Sequence, residues 1–136
     1  MKASVLLVDD EESVLDFYEH VLTQEGFNVL TAIDGLEALR EMQQSSIDVA
    51  VVDILMPRKE GLETIQAIRE EFPGVGIIAM SGGGIIAAGT YLDLAGKFGA
   101  HRCFEKPVPV KLMVDAINDL AKKMAKKAND IDKKDD

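Results

Sequence analysis

VAVVDILMPRKEG, residues 49 to 61, is a run of apolar and mostly β-branched residues that ends abruptly on a carboxylate, Asp53. Pro57 stops regular structure soon after, and Gly61 opens the next helical pattern. A continuous apolar run between such breakers suits a strand buried on both faces, as in the middle of a parallel sheet. Asp53 is then delivered at the carboxyl end of a central strand, where open α/β sheets place their chemistry. Taken alone, the stretch is equally compatible with an Asp that caps the next turn.

Working outward, Ser4 to Val8 is a second short apolar run that ends in acid, at Asp9 and Asp10, with Glu11 and Glu12 behind them. From Ser13 the period changes: Val14, Phe17, Tyr18, Val21 and Leu22 fall on one helical face. Gly26 suits a helix C-cap, and Phe27 to Ala32 reads as a strand. Asp34 with Glu37 three residues on resembles a capping box, and Leu36, Leu39 and Met42 give the helix that follows its apolar face.

Beyond the central strand, Leu62, Ile65, Ile68 and Phe72 mark a third helix, closed by Pro73 and Gly74. Gly76 to Met80 is a fourth strand, ending at Ser81, and a helical stretch is expected from Ile86 to Phe98. Cys103 and Phe104 form a short fifth strand before Glu105, Lys106 and Pro107. Pro109 suits the first turn of a last helix, whose buried stripe is Val110, Met113, Ile117, Leu120 and Met124. Strand and helix alternate five times, which implies an α/β fold: a parallel sheet with right-handed crossovers and helices on both faces.

The bulk numbers fit one such domain. A chain of 136 residues builds a single core, and 47% hydrophobic residues exclude disorder of the whole chain. The formal charge of -9 argues against a nucleic-acid-binding surface. The single cysteine, Cys103, has no disulfide partner within the chain. No stretch reads as a signal peptide or membrane span, so the expected location is the cytoplasm. The charged end is expected to fray beyond Lys126, giving a domain over residues 1–126 and a disordered tail over 127–136.

If the sheet is parallel, Asp9, Asp10, Asp53, Ser81 and Lys106 all gather at one edge. Like carboxylates at ~4 Å repel by about 4 kcal/mol at an effective dielectric near 20, so the group needs cations among it. Mg²⁺ is the natural one, being hard and octahedral and keeping waters that phosphate oxygens can replace. Acids, one Lys and one hydroxyl are what phosphoryl transfer onto a carboxylate requires. Each residue has an ordinary explanation by itself: Asp9 or Asp10 as a helix cap, Lys106 as a surface charge, Ser81 as a turn. All five at corresponding strand ends are better explained by chemistry.

VLLVDDEESV, VVDILMPRKEGLETI, IIAMSGG and FEKP, in this order and spacing, resemble the receiver domain of two-component response regulators, over residues 4 to about 124. The resemblance implies a flavodoxin-like, doubly wound five-stranded sheet in the order 2-1-3-4-5 with five helices. It implies that Asp53 is the phosphoacceptor, that Asp10 and Asp53 bind Mg²⁺ directly, that Asp9 acts through water, and that the Leu55 backbone carbonyl completes the protein's share of the shell. Lys106, before a cis Pro107, would pair with the phosphoryl group. Ser81 would be the hydroxyl that moves towards it, with Cys103 at the second switch position.

The chain departs from the family pattern at four places. Glu60 replaces the usual Asp, and Leu55 is apolar where many members are polar. Cys103 takes the place of an aromatic ring, with Phe104 next door, and the link between Ser81 and Lys106 is long. The partners implied are a histidine kinase or histidine phosphotransfer protein and a downstream protein target, with no nucleic acid and no membrane, for a monomer or weak dimer. A longer regulator with an output domain is the alternative setting. An aspartyl-phosphate phosphatase would want an acid at Leu55, and a flavodoxin-like cofactor binder a phosphate loop where the chain has four acids.

Overall fold

The apolar runs form the sheet that the sequence predicts. The computed structural model describes residues 3–54, 60–82, 93 and 95–134, and of residues 60 and 131–134 the backbone alone. Its strands are β1 (Ser4–Val8), β2 (Asn28–Ala32), β3 (Val49–Asp53), β4 (Gly76–Ser81) and β5 (Arg102–Glu105). All pairs are parallel, in the order β2-β1-β3-β4-β5. The helices are α1 (Glu12–Gln24), α2 (Gly35–Gln44), α3 (Glu60–Glu71), α4, helical at Asp93 and at 95–98, and α5 (Val110–Lys134). Most of the stretch expected to carry the fourth helix, 83–92, lies outside the described residues. No helix among the described residues is long and apolar enough to cross a membrane.

The strand period of two sorts the core into two layers. Leu6, Val8, Ala50, Val52, Ile77 and Ala79 point to the side covered by α2, α3 and Ala95. Their neighbours Val5, Leu7, Val49, Val51, Ile78 and Met80 point to the side of α1 and α5. Every residue of β3 and β4 is buried, which is why these strands read as unbroken apolar runs.

The caps follow from sequence. Asp34 Oδ1 accepts from Glu37 N at 2.8 Å and starts α2. Gly26, at φ 97°, closes α1: its N–H reaches Thr23 O and the Phe27 N–H reaches Leu22 O. That is the paired Schellman bond, with Phe27 and Leu22 buried in one cluster.

Three expectations are corrected. On α1 the buried residues are Leu15, Tyr18 and Leu22, while Phe17 is 53% exposed. On α2 they are Gly35, Ala38 and Met42, while Leu36 is 69% exposed. Small residues bring α2 close to the sheet, and the larger Leu is turned out. Finally, regular structure does not stop near Lys126, because α5 runs on to Lys134. Its last turns are rich in Ala and Lys, strong helix formers, with no Gly or Pro to interrupt them.

Candidate functional site

Parallel strands leave their carboxyl ends at one edge, and the sequence puts an acid or a hydroxyl there on three of them. β3 ends on Asp53, β4 on Ser81, and β1 stops one residue before Asp9. Asp9, Asp53 and Ser81 are almost wholly buried, whereas Asp10 is exposed. Asp9 is fixed by its main chain, whose N–H donates to Ala32 O at 3.1 Å, and by Oδ1, which accepts from Glu11 N at 2.9 Å.

Lys106 completes the group. Its N–H donates to Ser81 O at 2.7 Å, continuing the ladder past β5. The Lys106–Pro107 bond is cis. Its Nζ donates to Asp9 Oδ2 at 2.6 Å and to Asp53 Oδ2 at 3.0 Å. One ammonium is thus shared by two buried carboxylates. Burial is the largest single influence on this amine and pulls its pKa down. The bonds to Asp9 and Asp53 and their charges together outweigh it, so the pKa lies above the usual lysine value.

Carboxylate oxygens of Asp9, Asp10 and Asp53 lie within 4.8 Å of one another. Oxygens around an octahedral Mg²⁺, at about 2.1 Å from it, stand about 3 to 4 Å apart. Hard oxygen donors at this spacing fit a divalent cation with small side-chain movements. The proposed Leu55 carbonyl lies outside the described residues.

Two supports of the site were not read from the sequence. Gly61, in the first turn of α3, sits against the end of β3. A Cβ there would collide with the Asp53 carbonyl oxygen and come within 2.5 Å of Ile54 Cα. The Tyr18 hydroxyl donates to Val108 O at 3.0 Å, tying α1 to the segment that follows Lys106. The glycine after the PRKE run was visible as a helix start, but its contact with Asp53 is tertiary. Nothing local marks Tyr18.

The structure also separates Cys103 from Phe104. Cys103 pairs with Ala79 and packs with the α2–α3 layer, whereas Phe104 pairs with Met80 and packs with the α1–α5 layer. Phe104 therefore points away from the side on which the Cys103 side chain lies. Burial first, and then the charge of Asp93, raise the Cys103 pKa, so the thiol stays protonated. Among the described residues, the Ser81 hydroxyl makes a long contact, 3.4 Å, to Gly82 O.

Residues 5–118 match the family model for the response regulator receiver domain. The CpxR homolog of Haemophilus influenzae, a transcriptional regulatory protein, is 30% identical over 131 residues, covering 95% of this chain and 55% of that protein. Among solved structures, a response regulator receiver domain protein from Clostridium thermocellum superposes with a TM-score of 0.81 at 31% identity, over 90% of this chain and 96% of that one. NtrX of Brucella abortus gives a TM-score of 0.87 at 25% identity, over 97% of this chain but 29% of that one. The curated relatives are longer proteins: the matched stretch is 29% of the Bacillus subtilis regulator YcbL and 28% of the Escherichia coli regulator CpxR.

Proposed function

The chain belongs to the response regulator receiver domain family of two-component systems, and from that premise we propose that it is a phosphorylation-activated switch whose acceptor is Asp53. The observation that supports this most is the Lys106 ammonium held between Asp9 Oδ2 and Asp53 Oδ2 at the buried end of β3. A carboxylate beside an ammonium is a nucleophile already matched to an anionic donor.

In the proposed step, an Asp53 oxygen attacks the phosphorus of a phosphohistidine in line. The new O–P bond forms as the P–N bond breaks, and the imidazole leaves with the electron pair. Lys106 swings its ammonium from carboxylate to phosphoryl oxygens, offsetting their charge. Asp9, Asp10 and Asp53 would hold Mg²⁺, which when bound adds positive charge beside the same oxygens. Ser81, one residue beyond Met80, the register partner of Asp53, would offer its hydroxyl to the phosphoryl group and so report its arrival. The added charge of about -1.5 to -2 biases the Ser81 loop between two arrangements.

On this reading the protein is a phosphoacceptor that assists its own reaction, not an enzyme for a separate substrate. Its donor is a histidine kinase or phosphotransfer protein in the cytoplasm, and its output is a contact with another protein. Incubation with Mg²⁺ and a small phosphodonor, followed by intact mass and site mapping, tests it. One phosphoryl group on Asp53, lost in Asp53→Asn, is expected. Labelling that persists in that variant, at Asp9 or Asp10, would remove Asp53 from the mechanism.

A further inference from the structure

β5 is a lightly held strand. It has four residues, pairs with β4 alone, and is fully buried at none of its positions. Few buried contacts and a half-exposed ladder put such a strand among the first parts of a fold to open. Its carboxyl end runs into Lys106, whose N–H is bound to Ser81 O. Its amino end is held by His101, one residue before the strand.

The grip of His101 is double. Its main-chain N–H donates to Ile77 O at 2.8 Å, and its Nδ1 accepts from Ile77 N at 3.0 Å. One residue thus takes both backbone groups of Ile77, whose side chain is wholly buried. Nδ1 can accept only while it carries no proton, so the ring hydrogen is on Nε2. A proton on Nδ1 would set N–H against N–H and leave the Ile77 amide unpaired in the interior.

The junction in front of His101 has no slack. Gly99, at φ 123°, closes α4: its N–H reaches Ala95 O at 3.1 Å, and the Ala100 N–H reaches the same oxygen at 3.0 Å. A Cβ on Gly99 would lie 2.9 Å from Arg69 Cγ, so the end of α3 packs directly on this turn. A change at His101 is therefore passed on to β5 rather than absorbed.

Charged groups surround the imidazole on every side. α3 brings Arg69 and Glu70, α4 brings Lys97, and α5 brings Asp119, Lys123 and Lys127. On the strand itself, Arg102 Nη1 donates to His101 O at 3.1 Å while Nη2 is held by Asp119 Oδ2 at 2.8 Å. Burial first, and then Arg69, Lys127 and Arg102, oppose a second proton on the ring, so the bond to Ile77 is closed at neutral pH.

We propose that His101 is a proton-operated latch on β5. Neutral, it fastens the strand and the Lys106 at its far end. Protonated, it releases Ile77 and lets the strand shift as a unit, drawing Lys106 away from Asp9 and Asp53. Acid then acts on the site from the opposite edge of the sheet.

Hydrogen exchange of the full chain, followed by NMR without Mg²⁺ or phosphodonor, tests the latch apart from the role given to Asp53. From about pH 7.5 to about pH 5, as the His101 ring takes its proton, the protection factors of the Ile77 and Lys106 amides are expected to fall together, each about tenfold. Asn Oδ1 can stand where Nδ1 does and cannot titrate. His101→Asn should therefore hold both protection factors constant, which also separates the latch from titration of the carboxylates beside Lys106. Arg69→Gln keeps a stem over Gly99 and removes a cation, so it should move the transition to higher pH. An imidazole still neutral when the chain unfolds, a fall at Ile77 that does not reach Lys106, equal falls in His101→Asn, or an unmoved transition in Arg69→Gln each overturns the proposal. So does an Ile77 amide whose protection ignores the proton on the ring.

Discussion

The two edges of the sheet are made from the same strands and treat polar side chains in opposite ways. At the amino edge Asp48 and His101 are spent on the backbone. Asp48 Oδ2 accepts from Ser4 N at 2.8 Å, and His101 Nδ1 accepts from Ile77 N at 3.0 Å while the His101 main-chain N–H donates to Ile77 O. At the carboxyl edge Asp9 Oδ2 and Asp53 Oδ2 instead accept from another side chain, the ammonium of Lys106, while Asp9 Oδ1 keeps a backbone partner in the Glu11 N–H. A carboxylate bound to an amide N–H stitches a sheet and stays put. One bound to an ammonium can exchange that partner for a metal or a phosphoryl group.

The contrast can be broken most severely at Gly61. Gly61→Val forces α3 off the end of β3, and a loss of about 3 kcal/mol is expected, together with loss of phosphorylation. Urea unfolding measures the first, and a stability within error of wild type would mean that α3 does not position Asp53. Lys106→Met comes next. It leaves two buried carboxylates facing each other, and because the lysine is 17% exposed the cost is set at about 2 kcal/mol, below that of a fully buried pair. Unchanged melting would show that the shared ammonium carries no stability.

Asp10→Asn is expected to act with the opposite sign, raising metal-free stability by up to about 1 kcal/mol by removing one of three like charges, while weakening Mg²⁺ binding. Calorimetric titration and melting curves test both halves, and an unaltered Mg²⁺ affinity would sink the metal site.

The smallest effect belongs to the amino edge. Burial, then the charges of Arg69, Lys127 and Arg102, hold the His101 pKa below 6.5. The unfolded chain therefore binds this proton more readily than the folded one. The stability it contributes is complete above about pH 6.5 and is lost as pH falls towards the depressed folded value. His101→Asn keeps an acceptor but cannot titrate, so it should flatten that slope. An equal slope in the variant would assign the effect elsewhere.

What could be read from the sequence depended on whether the signal was local. β1, β3 and β4 are apolar runs ended by Asp9, Asp53 and Ser81, and both the strands and their shared edge followed from pattern. The faces of α1 and α2 did not. Val14, Leu15, Phe17, Tyr18, Val21 and Leu22 make α1 apolar over more than one face. The choice among them is made by the sheet beneath and by the bond from the Tyr18 hydroxyl to Val108 O. On α2 the packing side is marked by Gly35 and Ala38, whose small size is what allows the approach and also what hides them from a search for apolar bulk. The Asp9–Lys106 pair joins residues at opposite ends of the chain, and only closure of the sheet brings them to 2.6 Å.

The Tyr18 anchor has an optical consequence. The chain has no tryptophan and two tyrosines, so its emission is not swamped by indole. One of the two fluorophores is Tyr18, edge-on to the Phe17 ring at 5.1 Å and hydrogen-bonded two residues beyond Lys106. A shift of that segment, if Lys106 leaves Asp9 in the proposed step, would alter the bond at the phenol oxygen and with it the quantum yield. If Mg²⁺ binds as proposed, Tyr18 emission should follow occupancy of the site, and a Mg²⁺-dependent change that survives in Tyr18→Phe would belong to Tyr91 instead.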